Sequence, residues 1–338
     1  MSLILNKILK QENLTFDEMY DVMNEIIEGK ISDCEIGALL MGLQIKGIVA
    51  DELKGAVKVF REKALKVNNA PIDAIDTCGT GGDGLSTINI STAASIVAAT
   101  AGAKVLKHGN KSVSSKSGSA DVLLELGINI EQDKDLIINQ LNDTNLGFMF
   151  APNFHKAMKN VAHIRKQLGF RTIFNMIGPL VNPANVQRQL IGVYDEKLTY
   201  IYAQVLKDLG SKRVMIVHGE DGLDEISISG STKVSEIIDQ KIITYTIKPE
   251  DFNLKIRNIK EIKGGSSKEN ANLIIDVFEG EKGAKRDVIL INAAAIIYLS
   301  GLASSINDGI KIAAKVIDNG EVIKQLEKIK SYNTWKKF

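Results

Sequence analysis

Cysteine is scarce in this sequence of 338 residues, which contains only Cys34 and Cys78. Two isolated cysteines supply neither a disulfide framework nor the Cys-x-x-Cys spacing of a zinc site. The scarcity of cysteine therefore favours a protein of a reducing compartment such as the cytoplasm.

Long apolar runs and a strong charge of one sign are also missing. No stretch of the sequence approaches the about 20 apolar residues that span a bilayer, and the first residues do not have the apolar core and cleavage site of a signal peptide. With 42 basic and 41 acidic side chains, the formal net charge is only +1. No global positive field favours nucleic acid. We therefore expect a soluble cytoplasmic protein that binds neither membranes nor nucleic acid.

The first seventy residues carry the signals of helices. Thr15 with Glu18 and Ser32 with Glu35 have the spacing of capping boxes. Apolar residues recur at helical spacing after each of them, and a third helix fits residues 51–65. Because short loops join these segments, the pattern predicts a compact bundle, with a role in packing or dimer formation rather than in catalysis.

From about Pro71, short apolar runs alternate with helical segments, a pattern typical of an α/β fold with a mostly parallel central sheet flanked by helices. The predicted strands are AKVLKHG, LGFMFAP, RQLIGVYD and RVMIVHGE, and the predicted helices are 91–101, 119–126, 153–168 and 196–209. We therefore expect a small helical domain, residues 1–70, joined by a segment near 165–185, and a large α/β domain, residues 71–338. Ligands of such sheets bind at the carboxyl ends of the strands.

The stretch DTCGTGGDG has Gly79, Gly81 and Gly84 at the spacing of a dinucleotide-binding turn. A dinucleotide site would need an acidic residue at the end of the next strand to hold the ribose hydroxyls. That strand ends instead in Lys107 and His108, and the glycines are not followed by the Lys-Ser or Lys-Thr of a P-loop. Glycines let backbone N–H groups approach an anion closely. The turn is therefore predicted to bind phosphate in an arrangement that differs from both the dinucleotide-binding turn and the P-loop.

A second loop of similar character follows the next strand. The segment KHGNKSVSSKSGSAD, residues 107–121, is dense in lysines, hydroxyl groups and glycines. Ammonium and hydroxyl groups are good donors to phosphate oxygens, although a solvated polar loop is the alternative explanation for this segment taken alone. Two such loops after consecutive strands favour a polyphosphate ligand.

Three sets of motifs together resemble the anthranilate phosphoribosyltransferases: GTGGDG with NIST, KHGN with SSKSGSAD, and FNMIGPLVNPA. The resemblance extends from the N-terminal helices to about Ile228 and more loosely to the end of the chain. It implies a small helical domain and a large α/β domain in a homodimer. It also implies the family's reaction, in which the phosphoribosyl group of phosphoribosyl pyrophosphate (PRPP) is transferred to the amine of anthranilate, with Mg²⁺, in tryptophan biosynthesis.

The resemblance further implies roles for individual residues. Those expected to bind PRPP are Gly79, Gly82, Asp83, Thr87, Asn89, Ile90, Ser91, Thr92, Lys107, His108, Gly109, Asn110, Lys111, Ser112, Val113, Ser114, Ser115 and Ser119. Those expected to bind anthranilate are Gly79, Asn110, His155 and Arg165. The expected ligands of Mg²⁺ are Ser91, Asp224 and Glu225.

Elementary chemistry agrees with the metal and acceptor roles. Asp224 and Glu225 follow a predicted strand, and Mg²⁺ is often held by one or two carboxylates together with substrate phosphates; an acidic surface turn is the alternative. The planar fork of Arg165 matches a carboxylate such as that of anthranilate. On a helix that begins near Asn153, His155 and Arg165 would lie roughly along one side. Alternatively, His155 is a helix cap or a core residue.

Two positions depart from the family's pattern. Lys111 stands where arginine is common, which keeps the charge but loses the planar fork. Lys156 stands where proline is frequent, which loosens the predicted helix start.

Two other functions remain open from the residues. A pyrimidine nucleoside phosphorylase shares this architecture but would need a nucleobase pocket and no metal pair. A non-catalytic relative that binds nucleic acid should have a basic groove and a degraded metal site. The acidic pair, the glycine turn and Arg165 favour the transferase.

Overall fold

The computed structural model describes residues 1–112 and 116–332. Four helices form the N-terminal bundle, namely α1 (Ser2–Leu9), α2 (Phe16–Ile27), α3 (Asp33–Lys46) and α4 (Ala50–Lys63). The hydroxyl of Thr15 accepts the N–H of Glu18, and the Glu18 carboxylate accepts the N–H of Thr15. Ser32 and Glu35 make the same reciprocal pair at the start of α3. Both predicted capping boxes are confirmed.

A buried carboxylate organises the loops of this bundle. Glu52 is fully buried and accepts the backbone N–H groups of Leu14 at 2.9 Å and Val49 at 3.0 Å. The ammonium of Lys46 pairs with the same carboxylate at 3.0 Å. Because a buried charge is tolerated only when it is paired and hydrogen-bonded, Glu52 fixes the two loops that precede α2 and α4.

Two later helices extend the bundle. The chain returns to it in α9 (Lys159–Leu168) and α10 (Ile173–Ile177), whose buried residues Val161, Ile164 and Phe174 join the hydrophobic core of the first four helices. The contact between α10 and α4 includes an edge-to-face pair of Phe60 with Phe174, with ring centroids 6.1 Å apart. These contacts support the expected joining segment near 165–185, and the division into domains 1–70 and 71–338 remains our proposal.

The central sheet has seven strands in the order β3-β2-β1-β4-β5-β6-β7. They are β1 (Ile75–Asp76), β2 (Val105–Gly109), β3 (Leu146–Phe150), β4 (Arg188–Gly192), β5 (Arg213–Gly219), β6 (Thr232–Ile238) and β7 (Lys241–Ile247). The first five strands are parallel, and β6 and β7 are antiparallel. The predicted α/β class with a mostly parallel sheet is confirmed. Strand order reverses between β1 and β4, so the crevice for a ligand is expected above that pair.

Helices cover both faces of this sheet. The remaining ones are α5 (Ile90–Thr100), α6 (Ser119–Glu125), α7 (Lys134–Thr144), α8 (Ala151–Phe154), α11 (Leu198–Asp208), α12 (Ser267–Phe278), α13 (Ala284–Ser300), α14 (Ile306–Asp318) and α15 (Glu321–Lys330). Alternate residues of β5 enter different cores: Met215 packs with α5 and α13, whereas Ile216 packs with α11 and the bundle. Within the described ranges, the structure has no helix with the length and apolar character needed to cross a membrane.

The prediction of one continuous helix over 153–168 is wrong. Helix α8 ends at Phe154, a 3₁₀ turn occupies Lys156–Met158, and α9 begins only at Lys159. His155 lies at the break with φ −117° and ψ 62°, because its buried ring packs against His108, with centroids 5.1 Å apart. This tertiary contact overrides helical spacing, so His155 and Arg165 do not share one helix face.

A close approach of α2 and α4 gives a test of this packing. A Cβ added at Gly55 would lie only 2.6 Å from the Phe16 carbonyl oxygen, so we expect Gly55→Ala to destabilise the protein by about 1–3 kcal/mol. Gly37 in α3 has no heavy atom within 4 Å of its added Cβ, so Gly37→Ala should stabilise by about 0.5–1 kcal/mol. Urea denaturation measures both changes. Shifts of the same sign and size would contradict the packing described.

Candidate active site

The glycine turn after β1 has the backbone that its sequence requires. Gly81, Gly82 and Gly84 adopt φ values of 65°, 81° and 79°, in the left-handed region where glycine carries no steric penalty. The carboxylate of Asp83 accepts the N–H of Leu85 at 3.0 Å. The turn therefore folds back on itself at the carboxyl end of β1.

The end of β4 supports this turn from the side. The N–H of Thr80 donates to the carbonyl oxygen of Gly192 at 2.9 Å, and the Thr80 hydroxyl accepts the N–H of Tyr194 at 3.1 Å. A Cβ at Gly79 would lie 2.9 Å from the same Gly192 oxygen. Close contact between the two strand ends thus places the turn at the point where strand order reverses.

The acidic pair lies in the loop after β5, on the other side of β4. A Cβ on Gly192 would overlap the backbone carbonyl oxygen of Asp224, so only glycine lets this loop reach its position. The carboxylate of Glu225 accepts the N–H of Ser91 at 3.1 Å, in the first turn of α5. The structure therefore brings together Ser91, Asp224 and Glu225, the three residues that the resemblance assigned to the metal.

Electrostatics explains why this cluster favours a cation. Burial and the neighbouring charge of Asp83 raise the pKa of Asp224, and burial raises the pKa of Glu225 although the charge of Lys107 opposes that effect. Each raised pKa means that the ionised carboxylate is less favourable there than in water, and the charge of Asp83 adds to this effect. A positive ion at this place would relieve the repulsion.

The carboxylate oxygen atoms of Asp224 and Glu225 are suitable ligands for Mg²⁺, but the protein alone does not complete the coordination of the ion. Carboxylate oxygens are ligands that Mg²⁺ prefers. Across residues 1–112 and 116–332, no group of three or more acidic, histidine or cysteine side chains could hold a metal by itself. Mg²⁺ commonly completes its coordination with water and substrate phosphates, so the residues present fit a metal that binds with its substrate.

A second buried carboxylate joins the two phosphate loops at their base. Asp76 accepts the N–H of Thr77 at 2.7 Å and that of His108 at 2.9 Å, and burial raises the pKa of its carboxyl. The buried ammonium of Lys107 donates to the Thr77 carbonyl and hydroxyl oxygens at 2.8 and 2.9 Å. Lys107 therefore lies beneath the glycine turn, with two of its three donors already used.

The side chain of Asn89 connects the start of α5 to the second loop. Its amide donates to the Ser117 carbonyl at 3.2 Å, and its amide oxygen accepts from the Ser117 hydroxyl at 3.0 Å. The side chain of Asn270 in α12 donates to the same oxygen at 2.9 Å. The start of α5 is thereby fixed to the second loop and to the C-terminal helices.

The second loop is described in part. Asn110 accepts the N–H of Lys111 at 2.8 Å through its side chain and the Ser119 hydroxyl at 3.3 Å through its carbonyl. Asp121 accepts the N–H groups of Ser112 and Gly118. The predicted PRPP-binding residues Val113, Ser114 and Ser115 lie outside the described residues.

Three of the other predicted PRPP-binding residues have side chains or backbone groups engaged elsewhere. Thr87 forms an isolated β-bridge with Lys263. Ile90 and Thr92 are buried in the first turn of α5, and the N–H of Ile90 donates to the Ile88 carbonyl oxygen at 2.8 Å. The Thr92 hydroxyl has no hydrogen-bond partner among the described residues.

The side of the site expected to bind the acceptor contains a pair of buried neutral histidines. Burial lowers the pKa of His108 to about 4 and that of His155 to about 3, so both are uncharged at pH 7. His108 Nδ1 lies 3.3 Å from the Gly178 carbonyl oxygen, which requires a proton on Nδ1 for a hydrogen bond. The Nε2 atoms of both rings are buried without a hydrogen-bond partner among the described residues.

Arg165 is the cation that was expected to bind the carboxylate of the acceptor. It is half-buried in the last turn of α9, its guanidinium carbon lies 5.9 Å from the Phe174 ring centroid, and burial lowers its pKa. Its guanidinium makes no hydrogen bond or ion pair with the described residues. An arginine held in this way favours a planar anion such as a carboxylate.

Several supporting residues were not identified from the sequence. No role was assigned from the sequence to Asp76, Thr80, Gly192 or Arg171, although Asp76 and Thr80 lie within the stretch DTCGTGGDG. An acidic residue directly before the glycine turn was the one available signal, because Asp76 ends an apolar strand. Gly192 and Arg171 contact the turn only through the tertiary fold.

The fold and the arrangement of the two glycine-containing loops, the acidic pair and Arg165 are those expected of a transferase that acts on a sugar phosphate. The chain matches the family model of the glycosyl transferase family α/β domain over residues 72–323, and that of its helical bundle domain over residues 2–64. The anthranilate phosphoribosyltransferase of a Thermoanaerobacter species is 48% identical over 97% of both chains. That of Petrotoga mobilis is 47% identical over 98% of this chain and 96% of the relative. The chain belongs to the anthranilate phosphoribosyltransferase family.

Solved structures agree with this family. The anthranilate phosphoribosyltransferase of Thermus thermophilus superposes with a TM-score of 0.91 at 35% identity, covering 97% of this chain and 98% of that one. The enzyme of Saccharomyces cerevisiae in complex with PRPP and Mg gives a TM-score of 0.88 at 29% identity, covering 97% and 96%. The fold is therefore shared across the whole chain.

Proposed function

We propose that this protein transfers the phosphoribosyl group of PRPP to the amine of anthranilate, releasing pyrophosphate, as a step of tryptophan biosynthesis in the cytoplasm. The observation that carries this proposal is the convergence of the glycine turn, the start of α5 and the half-buried acidic pair where strand order reverses. The family to which the chain belongs supplies the identity of the substrates.

We assign the donor to the two phosphate loops. Backbone N–H groups of residues 79–84 and the N-terminus of α5 would face the phosphates, and Lys111 and Ser119 belong to the loop that would cover them. Asp224, Glu225 and Ser91 would hold Mg²⁺, with Asp83 beside them. When bound, Mg²⁺ would supply positive charge to the pyrophosphate as its bond to the sugar breaks.

We assign anthranilate to the space bounded by Arg165, His155, Asn110 and Gly79. The guanidinium of Arg165 would hold the carboxylate, and the neutral histidine pair would contact the ring without competing for that charge. An aromatic amine is already neutral at pH 7, so its nitrogen needs no strong general base before it attacks. Correct placement of the amine against the sugar carbon can then supply much of the rate enhancement.

We also propose that the protein is a homodimer formed through its helical bundle. Four apolar side chains of α1 and α3 are exposed, with Leu3 83%, Leu9 81%, Met41 43% and Ile45 71% accessible, and these two helices contact each other. Neighbouring exposed apolar groups of this kind mark interaction surfaces. The same patch on a second copy would cover them by two-fold symmetry.

The first expected result concerns the acidic pair. With PRPP, anthranilate and Mg²⁺, the protein should release pyrophosphate, and Asp224→Asn with Glu225→Gln should lower turnover by about 10²- to 10³-fold, the cost of losing a group that stabilises transition-state charge. Glu220→Gln in the same loop, where the carboxylate is exposed and bound to Ser231, is the matched control. A double variant with the turnover and Mg²⁺ dependence of the wild type would refute the metal site.

The second expected result concerns Arg165. Arg165→Ala removes a charge-assisted pair worth roughly 1.5–3 kcal/mol, so the Michaelis constant for anthranilate should rise roughly 10- to 150-fold, with PRPP bound nearly as before. Lysine should recover only part of the loss, and aniline should be a poor acceptor for both proteins. Lys166→Ala changes an exposed cation next to it and should have little effect. Weakened PRPP binding with unchanged anthranilate binding would move Arg165 to the donor site.

The third expected result concerns assembly. Light scattering at micromolar concentration should give the mass of a dimer, and Ile45→Lys should give a monomer because a charge would be buried in the interface. Ile72 is exposed to a similar extent, 78%, but lies outside α1 and α3, so Ile72→Lys should remain dimeric. A monomeric wild type, or equal effects of the two lysines, would argue against this interface.

A further inference from the structure

We propose that Arg171 is a positioning residue that holds the acceptor-side helix against the donor-binding glycine turn. The proposal rests on the function proposed above and deepens the description of its site. Arg171 follows α9, which ends at Leu168 and carries Arg165, and it directly precedes Thr172, the N-cap of α10. Its side chain therefore extends from the segment that carries the acceptor arginine.

Arg171 contacts the turn at one defined atom. Its Nη2 donates a hydrogen bond to the carbonyl oxygen of Gly82. Gly82 has a φ of 81° and directly precedes Asp83, the acidic residue beside Asp224. A bond at this carbonyl therefore limits rotation of the peptide that leads into the acidic cluster.

Tyr194 fixes the direction of this arginine. The guanidinium carbon of Arg171 lies 4.1 Å from the Tyr194 ring centroid, and stacking leaves the N–H edge of a guanidinium free to donate. The backbone N–H of Tyr194 also donates to the Thr80 hydroxyl. One residue at the end of β4 thus supports both the glycine turn and the side chain that binds it.

The segment that carries Arg171 is itself well anchored. The N–H of Thr172 donates to the side-chain oxygen of Asn175 at 3.0 Å, and α9 and α10 pack in the helical bundle. Because both the backbone of Arg171 and the carbonyl group that its side chain binds are held in place, Arg171 limits movement of one segment relative to the other. Arg171 would therefore set the separation between the acceptor bound at Arg165 and the donor bound at the turn.

The expected effect is on turnover. A displacement of about 1 Å between reacting groups can lower a rate by about 10²-fold. Arg171→Ala should therefore lower kcat by about 10- to 100-fold, with smaller changes in the Michaelis constants for PRPP and anthranilate. Arg171→Lys should recover part of kcat, because it keeps a donor but loses the planar fork. Tyr194→Ala should lower kcat in the same direction.

A double-variant cycle tests whether the two residues act together. The combined Arg171→Ala and Tyr194→Ala protein should be little slower than the slower single variant, because each change removes the same arrangement. The matched control is Arg213→Ala, which removes another arginine stacked on a tyrosine, 4.5 Å from the Tyr298 centroid. Arg213 begins β5, at the opposite end of the sheet from the site, so kcat should be unchanged.

Hydrogen exchange gives a readout that needs no catalysis. Amides of residues 80–85 should exchange faster in Arg171→Ala and Tyr194→Ala than in the wild type and in Arg213→Ala. If the wild type fails to transfer phosphoribosyl groups, the proposed function is wrong while exchange still decides the contact. Wild-type kcat and exchange in Arg171→Ala, independent effects in the cycle, or a change confined to the Michaelis constant for PRPP would each overturn the proposal.

Discussion

Partial burial of several carboxyl groups at the carboxyl ends of the central strands is the constraint on which this site depends. Asp224 and Glu225 have raised pKa values because they are buried, and the charge of Asp83 adds to the effect. These groups are only partly exposed to water, so their charge is stabilised by the backbone N–H of Ser91 and the nearby ammonium of Lys107. A cation that arrived with the substrate would stabilise it further. Much of the fold around them consists of contacts that hold these compensating groups in place.

These contacts have one feature in common: in each, a small or buried residue brings two strand ends together. Gly192 permits the acidic loop to pass directly over β4, and its carbonyl oxygen accepts the N–H of the glycine turn. Asp76 performs the corresponding task between β1 and β2 through two backbone N–H groups. The precision of the site is therefore a property of backbone contacts, which tolerate little rearrangement, more than of the polar side chains that would contact the substrate.

Local patterns in the sequence were sufficient to predict most of the helices and strands, but not the contacts that support the glycine turn; the roles of the site residues remain predictions. The capping boxes of α2 and α3 and the strands before each phosphate loop were predictable because hydrogen bonding and periodicity are local. The break at His155 was not, since it results from packing against His108, a residue distant in sequence. Arg171 was missed for the same reason: nothing adjacent to it shows that its guanidinium lies against Gly82 and Tyr194.

The position of β4 in the sheet has a consequence for how the chain reaches its native state. Ile75 of β1 pairs with Val105 on one side and with Arg188 on the other, and the second pairing closes a much longer loop at a greater entropic cost. During synthesis, the glycine turn therefore leaves the ribosome long before the strand that supports it. Until β4 and the loop after β5 have folded, the turn lacks the contacts with Gly192 that support it, so its final backbone arrangement would form late in folding.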